Sequence, residues 1–110
     1  MLRRRCLDIV GLARRAGHTV SGYEKVRSAL KAGDGAVILA ASDAAEDGAS
    51  KVQALAPKLP VVTALTGDEL GAAFGRDRTV HAVMTKGRLA ERFLVEAARL
   101  NGLTESKSNR

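Results

Sequence analysis

Three short apolar runs constrain this chain more than any other feature: residues 36–41 (AVILAA), 61–65 (VVTAL) and 80–85 (VHAVMT). Each is bounded by Gly, Pro or helix-starting residues, and stretches of helical length separate them. The first, uninterrupted, reads as a strand covered on both faces, the second as another buried strand and the last as a third strand. Their alternation with helical periodicity predicts an α/β fold, a three-layer α/β/α sandwich around one small, mainly parallel or mixed sheet. The chain has 110 residues, which is enough for one such core and not for two. Aromatic residues make up 3% and Trp is absent, so Ala, Val, Leu and Ile must fill that core.

The helices are legible from their faces and their ends. Leu2, Cys6, Ile9, Val10 and Ala13 recur at helical spacing, with Arg3, Arg4, Arg14 and Arg15 on the opposite side and Gly17 as the stop. An extended piece, residues 18–20, follows. Ser21-Gly22-Tyr23-Glu24 has the form of a capping box, opening a helix whose Tyr23, Val26 and Leu30 face inward and whose Glu24, Arg27, Ser28 and Lys31 face outward. Gly33 and Gly35 close it. Asp43 with Glu46 opens a third helix that stops before Pro57 and Pro60. Thr66-Gly67-Asp68-Glu69 forms a second capping box, on a short helix ended by Gly75. The last helix is predicted over residues 87–100, stopped by Asn101-Gly102. Residues 1–103 form a single domain in this reading, and residues 104–110 a flexible tail.

The 18 basic and 12 acidic side chains give a net charge of +6, which favours polyanionic partners. Their distribution is uneven: residues 1–31 carry +6, residues 32–75 carry −4 and residues 76–110 carry +4. A fold that brings the two ends of the sequence together would present a basic face to phosphates. No apolar run approaches the roughly 18 residues that span a bilayer, and no signal-peptide pattern is present, so a soluble cytoplasmic protein without a membrane partner is expected. The single cysteine, Cys6, lies on an apolar helix face and excludes an internal disulfide or a Cys-based zinc site.

Catalytic constellations are scarce. His18 and His81 are distant in sequence, and His81 sits inside an apolar strand, where a satisfied structural role is expected. The acids Asp43, Glu46 and Asp47 are accounted for by helix-start electrostatics rather than by a metal. Neither a phosphate-binding P-loop nor a GxGxxG turn follows a strand. These observations point to no enzyme activity, no cofactor and no metal.

A binding surface remains. Gly22 at a helix start permits close approach of a ligand, and the free N–H groups there, with Lys25, Arg27 and Lys31, attract anions. The turn Arg76-Asp77-Arg78-Thr79 before the last strand is a second basic element.

The segments IVGLARRAG, HTVSGYEKVRSALKAG, AVILAASDAAED, PVVTALTGDELGAAFG and VHAVMTKG occur in this order. Together they resemble the YlxQ-like bacterial branch of the kink-turn-binding ribosomal-protein superfamily, whose archaeal members are of the L-seven-Ae type. The resemblance covers nearly the whole of residues 6–100 and implies the same three-layer fold. In that superfamily the start of the second helix enters a groove beside sheared G·A pairs, and the loop before the last strand covers a flipped-out nucleotide. By resemblance the RNA-binding residues here are Gly22, Tyr23, Glu24, Lys25, Arg27, Ser28 and Lys31 on the helix, with Arg76, Arg78 and Thr79 on the loop. Arg14, Arg15, His18 and Lys86 are secondary candidates.

The superfamily's Gly-x-Asn-Glu-x-x-Lys signature is not kept, because Glu24, Lys25 and Ser28 stand at its Asn, Glu and Lys positions. Base-reading amide and carboxylate groups are therefore replaced, while charge and helix-end geometry survive, which favours contacts to phosphates and shape. The implied function is non-catalytic binding of structured, ribosomal RNA in translation or ribosome biogenesis, with a ribosome or translation-factor contact. The alternative is a protein-interaction module of a longer translation-associated protein. A weaker third reading is a substrate-binding domain associated with an RNA methylase. YlxQ-like domains also resemble the second half of longer chains whose first half is a YlxR-type basic domain, and the arginine-rich start would then be a junction.

Overall fold

The computed structural model describes residues 2–44 and 46–105, with side chains for residues 2–44 and 50–100. The elements run α1 (Leu2–Arg15), β1 (Thr19–Ser21), α2 (Tyr23–Lys31), β2 (Gly35–Ala40), α3 (Glu46–Leu55), β3 (Val61–Val62), α4 (Gly67–Ala73), β4 (His81–Thr85) and α5 (Arg88–Glu105). The alternation expected from the apolar runs is present, and the α/β sandwich follows from it.

The strands form one sheet in the order β1-β4-β2-β3. β4 pairs antiparallel with both β1 and β2, and β2 pairs parallel with β3, so the sheet is mixed rather than mainly parallel. Direction depends on how each connection crosses the sheet, which apolar patterning does not encode. β3 is also shorter than the run over residues 61–65. Ladder pairing ends at Leu39↔Val62, after which the backbone turns away and Leu65 becomes a buried loop residue whose carbonyl accepts from Ser42 N–H at 2.8 Å.

Two cores flank the sheet. Val37, Leu39, Ala82 and Met84 face α1, α4 and α5, packing on Ile9, Val10, Leu70 and Phe93. Ile38 and Val83, offset by one residue, face α2 and α3 through Val26, Leu30 and Val52. The period of two that sends successive side chains to opposite faces explains why β2 and β4 are apolar throughout. Complete burial of Phe93 alone contributes about 1.5–3 kcal/mol.

Helix ends repeat one device. Gly17, Gly33 and Gly75 stand just past α1, α2 and α4 at positive φ. At α4, Gly75 N–H donates to Ala72 O at 3.2 Å and Arg76 N–H to Gly71 O at 2.7 Å, closing the last turn. The Asn101-Gly102 stop is not used. α5 continues to Glu105, because a glycine inside a helix costs only about 1 kcal/mol and does not by itself end it. Residues 106–110 of the expected tail lie outside the described residues.

Candidate nucleic-acid interface

The start of α2 is built differently from the expected capping box. Ser21 is held in β1 opposite Ala82, and Gly22 N–H donates to His81 O at 3.3 Å, so the turn into the helix falls on Gly22. Gly22 is the N-cap at φ 92°, ψ 142°, and no side chain caps the helix. With Ser21 one position too early, Glu24 cannot complete the reciprocal pair. Helix geometry leaves the N–H groups of Tyr23, Glu24 and Lys25 without intrahelical acceptors, at the positive end of the macrodipole. Nothing lies within 4 Å of where a Gly22 side chain would begin, so the approach is open.

Tyr23 is 41% exposed, not inward-facing. Side chains in the first helical turn lean towards the N-terminus, away from the stripe that Val26 and Leu30 bury. Val26 and Leu30 form the buried stripe as expected.

Beside this helix start, Arg14 from the last turn of α1, Lys25 of α2 and Arg76 from the loop after α4 line one cleft of about 350 Å³. Thr19, Val20 and Ser21 of β1 complete its wall with Phe74 and Gly75. Gly75 has two reasons to be glycine: φ is +70°, and a β-carbon there would stand 3.0 Å from Arg14 Nη2. The guanidinium thus lies over the turn that ends α4.

The other expected residues do not all converge here. Glu24, Arg27, Ser28 and Lys31 are exposed on α2. At 100° per residue, however, Lys25 and Arg27 point about 160° apart, so they cannot line one face. Glu24 and Ser28 border a shallow surface that shares Lys25 with the cleft. His18 and Lys86 sit at the opposite end of β4, where Thr85 N–H donates to His18 O at 2.9 Å and Lys86 N–H to Asp34 O at 3.2 Å. Arg15 lies with Arg4 on a neighbouring groove. Arg3 pairs with Glu69 at 2.7 Å and Arg5 lies 3.9 Å from Glu96, so the basic ends of the sequence do not merge into a single face.

Arg78 and Thr79 belong to the packing of the loop. Arg78 Nη1 lies 3.3 Å from Asp43 Oδ2 and 3.8 Å from Asp68 Oδ1. Asp43 Oδ1 also accepts Gly67 N–H at 2.9 Å. That backbone hydrogen bond, with the Arg78 guanidinium, holds the Asp43 carboxyl below its ordinary range. Asp43 therefore ties a turn to α4 and the loop instead of opening α3. The side chains of Glu46 and Asp47, the other members of the acidic group, lie outside the described residues. Thr79 is buried at 5% exposure and cannot meet a ligand as an outer contact.

His81 differs from expectation too. Its ring is half-buried and Nε2 has no partner among the described residues, so burial pushes the imidazole pKa down. Burial likewise pushes the Cys6 thiol up, consistent with its role as a core hydrophobe.

Sequence reasoning missed the structural use of Asp43 and the notch formed by Gly67 and Gly71, one helical turn apart on α4. Their i, i+4 spacing was the available signal.

A small basic α/β/α domain with an uncapped helix start beside three converging cations is the class these features define. Residues 4–91 match the "Ribosomal protein L7Ae/L30e/S12e/Gadd45 family", well over half of the 110 residues, and the chain belongs to that family. Solved structures that share the fold include two with distinct origins. One is a protein of unknown function from Bacillus halodurans C, with TM-score 0.79, 23% identity, and 84% of this chain and 96% of that chain covered. The other is the Giardia lamblia 15.5kD RNA binding protein, with TM-score 0.71, 17% identity, and 93% and 89% covered. Among curated proteins none matches. No helix among the described residues is long and apolar enough to cross a membrane.

Proposed function

We propose that this chain is a non-catalytic RNA-binding domain of the YlxQ-like bacterial branch, taking structured ribosomal RNA in translation or ribosome biogenesis in the cytoplasm. The observation that carries the reading is the meeting of Arg14, Lys25 and Arg76 in one cleft beside the uncapped start of α2. Three cations from three elements, next to free backbone N–H groups, suit the phosphates of a folded strand. The exposed Tyr23 ring at the helix tip supplies a stacking surface for an unpaired base. Gly22, Glu24 and Ser28 border the same approach, Arg27 and Lys31 serve as outer contacts, and His18 and Lys86 lie too far along β4 to join it. Family membership and the fold shared with the Giardia lamblia RNA binding protein support the reading.

The test is titration of ribosomal RNA fragments containing internal loops, from low to physiological salt. Binding should weaken steeply with salt, and Lys25→Ala or Arg76→Ala should each reduce the salt slope by about one. An affinity absent even at low salt would overturn the proposal.

A further inference from the structure

A groove of about 620 Å³ runs between α1 and α4. Along α1 its wall is Arg4, Asp8, Gly11 and Arg15, spaced i, i+4, i+7 and i+11, which places them on one helical face. Gly11 contributes no side chain, so the middle of the groove stays open; a β-carbon there would meet only Arg15 Nη1, at 3.6 Å. Leu12, 44% exposed, and Leu7 supply apolar surface, and Ala72 and Ala73 of α4 close the far side.

The charges in the groove are not equally available. Glu69 is engaged by Arg3 at 2.7 Å and by Thr66 N–H at 2.8 Å. Asp8 lies 3.4 Å from Arg4 in a highly exposed pair that water screens, leaving Arg4 free to exchange partners. Arg15 has no ion pair among the described residues. Arg14 lines this groove and also the cleft beside α2, so the two adjoin at one residue.

We infer that the α1/α4 groove is a second RNA contact, holding a single-stranded segment that flanks the structured RNA bound at the cleft. The inference rests on the RNA-binding reading and extends it. A duplex keeps its base faces stacked out of reach, whereas an unpaired strand offers phosphates to Arg4 and Arg15 and base faces to Leu7 and Leu12. The distance suits such a strand. Arg4 to Arg15 spans about 16 Å of helix at 1.5 Å per residue, long enough for several stacked nucleotides.

The experiment compares one ribosomal RNA hairpin that the protein binds, blunt and with a single-stranded uridine extension. On wild type the extension should strengthen binding several-fold and steepen the salt slope by about 1.4, from two contacts at about 0.7 each. Gly11→Leu fills the groove without changing a charge and improves helix propensity, so its melting temperature should hold or rise. It should abolish the gain from the extension while the blunt hairpin binds as before. Arg4→Gln with Arg15→Gln should do the same. An extension without effect, or a gain that both variants retain, overturns the inference and leaves the cleft reading standing. If Gly11→Leu changes only the binding of a polyglutamate probe, the groove belongs to an acidic peptide and the inference is likewise overturned. Failure of wild type to bind any blunt hairpin overturns the cleft reading, and this inference with it.

Discussion

A β-carbon placed on Gly71 would stand 2.7 Å from the Cα of Arg78. The loop before β4 is pressed backbone-first into α4, and Gly67 leaves matching space for the Arg78 side chain. The loop is thereby positioned by α4, and Arg76 is carried to the cleft.

Two glycine-to-alanine changes within helices should have opposite signs. Gly71→Ala should destabilise the protein by about 1–3 kcal/mol, because the backbone of residue 78 must move to make room. Gly11→Ala meets only the end of a flexible arginine and should stabilise by about 0.5–1 kcal/mol. Urea denaturation of the two variants checks both signs.

Helix capping separates Thr66 from Glu24. Thr66 Oγ1 accepts Glu69 N–H at 3.1 Å and Glu69 returns the bond to Thr66 N–H, so Thr66→Ala should cost about 1 kcal/mol. Glu24 caps nothing, and Glu24→Ala should shift stability by only a few tenths of a kcal/mol. Removing its negative charge beside Lys25 should slightly strengthen RNA binding. Melting and RNA titration on both variants distinguish these effects.

Asp43 and Arg78 should behave as parts of the scaffold. Arg78→Ala should lower the melting temperature and leave the salt slope of RNA binding unchanged, unlike Arg76→Ala. Because folding lowers the Asp43 pKa, its contribution is complete above about pH 3.9 and disappears as pH falls through the lower folded value. The stability gap between wild type and Asp43→Ala should therefore close in acid, as measured by denaturation across pH.

His81 gives a separate pH dependence. Its folded pKa lies below the unfolded value near 6.5, so the unfolded chain takes up the proton first. Stability should be complete above about pH 6.5 and decline as pH falls below it. His81→Gln should remove that limb, which thermal melts at neutral and mildly acidic pH would reveal.

Much of this molecule is determined locally. The apolar runs at residues 36–41 and 80–85 became β2 and β4, because continuous burial needs only neighbours on both faces. Gly17, Gly33 and Gly75 ended their helices because positive φ carries no steric cost for a residue without a β-carbon. The Thr66 capping box formed within four consecutive residues.

Tertiary structure decided what depends on distant partners. Ser21 reads as a cap, yet pairing with β4 held it in a strand and moved the helix start to Gly22. Asp43 reads as the opening of a helix, yet Gly67 and Arg78 claimed its carboxylate. Basic residues near both ends of the sequence suggested one basic face, but among the described residues only Arg14, Lys25 and Arg76 met in the cleft. Charge patterning records how many cations a segment carries, whereas the way α1, α2 and the loop after α4 meet beside β1 sets which of them come close enough to act on one ligand.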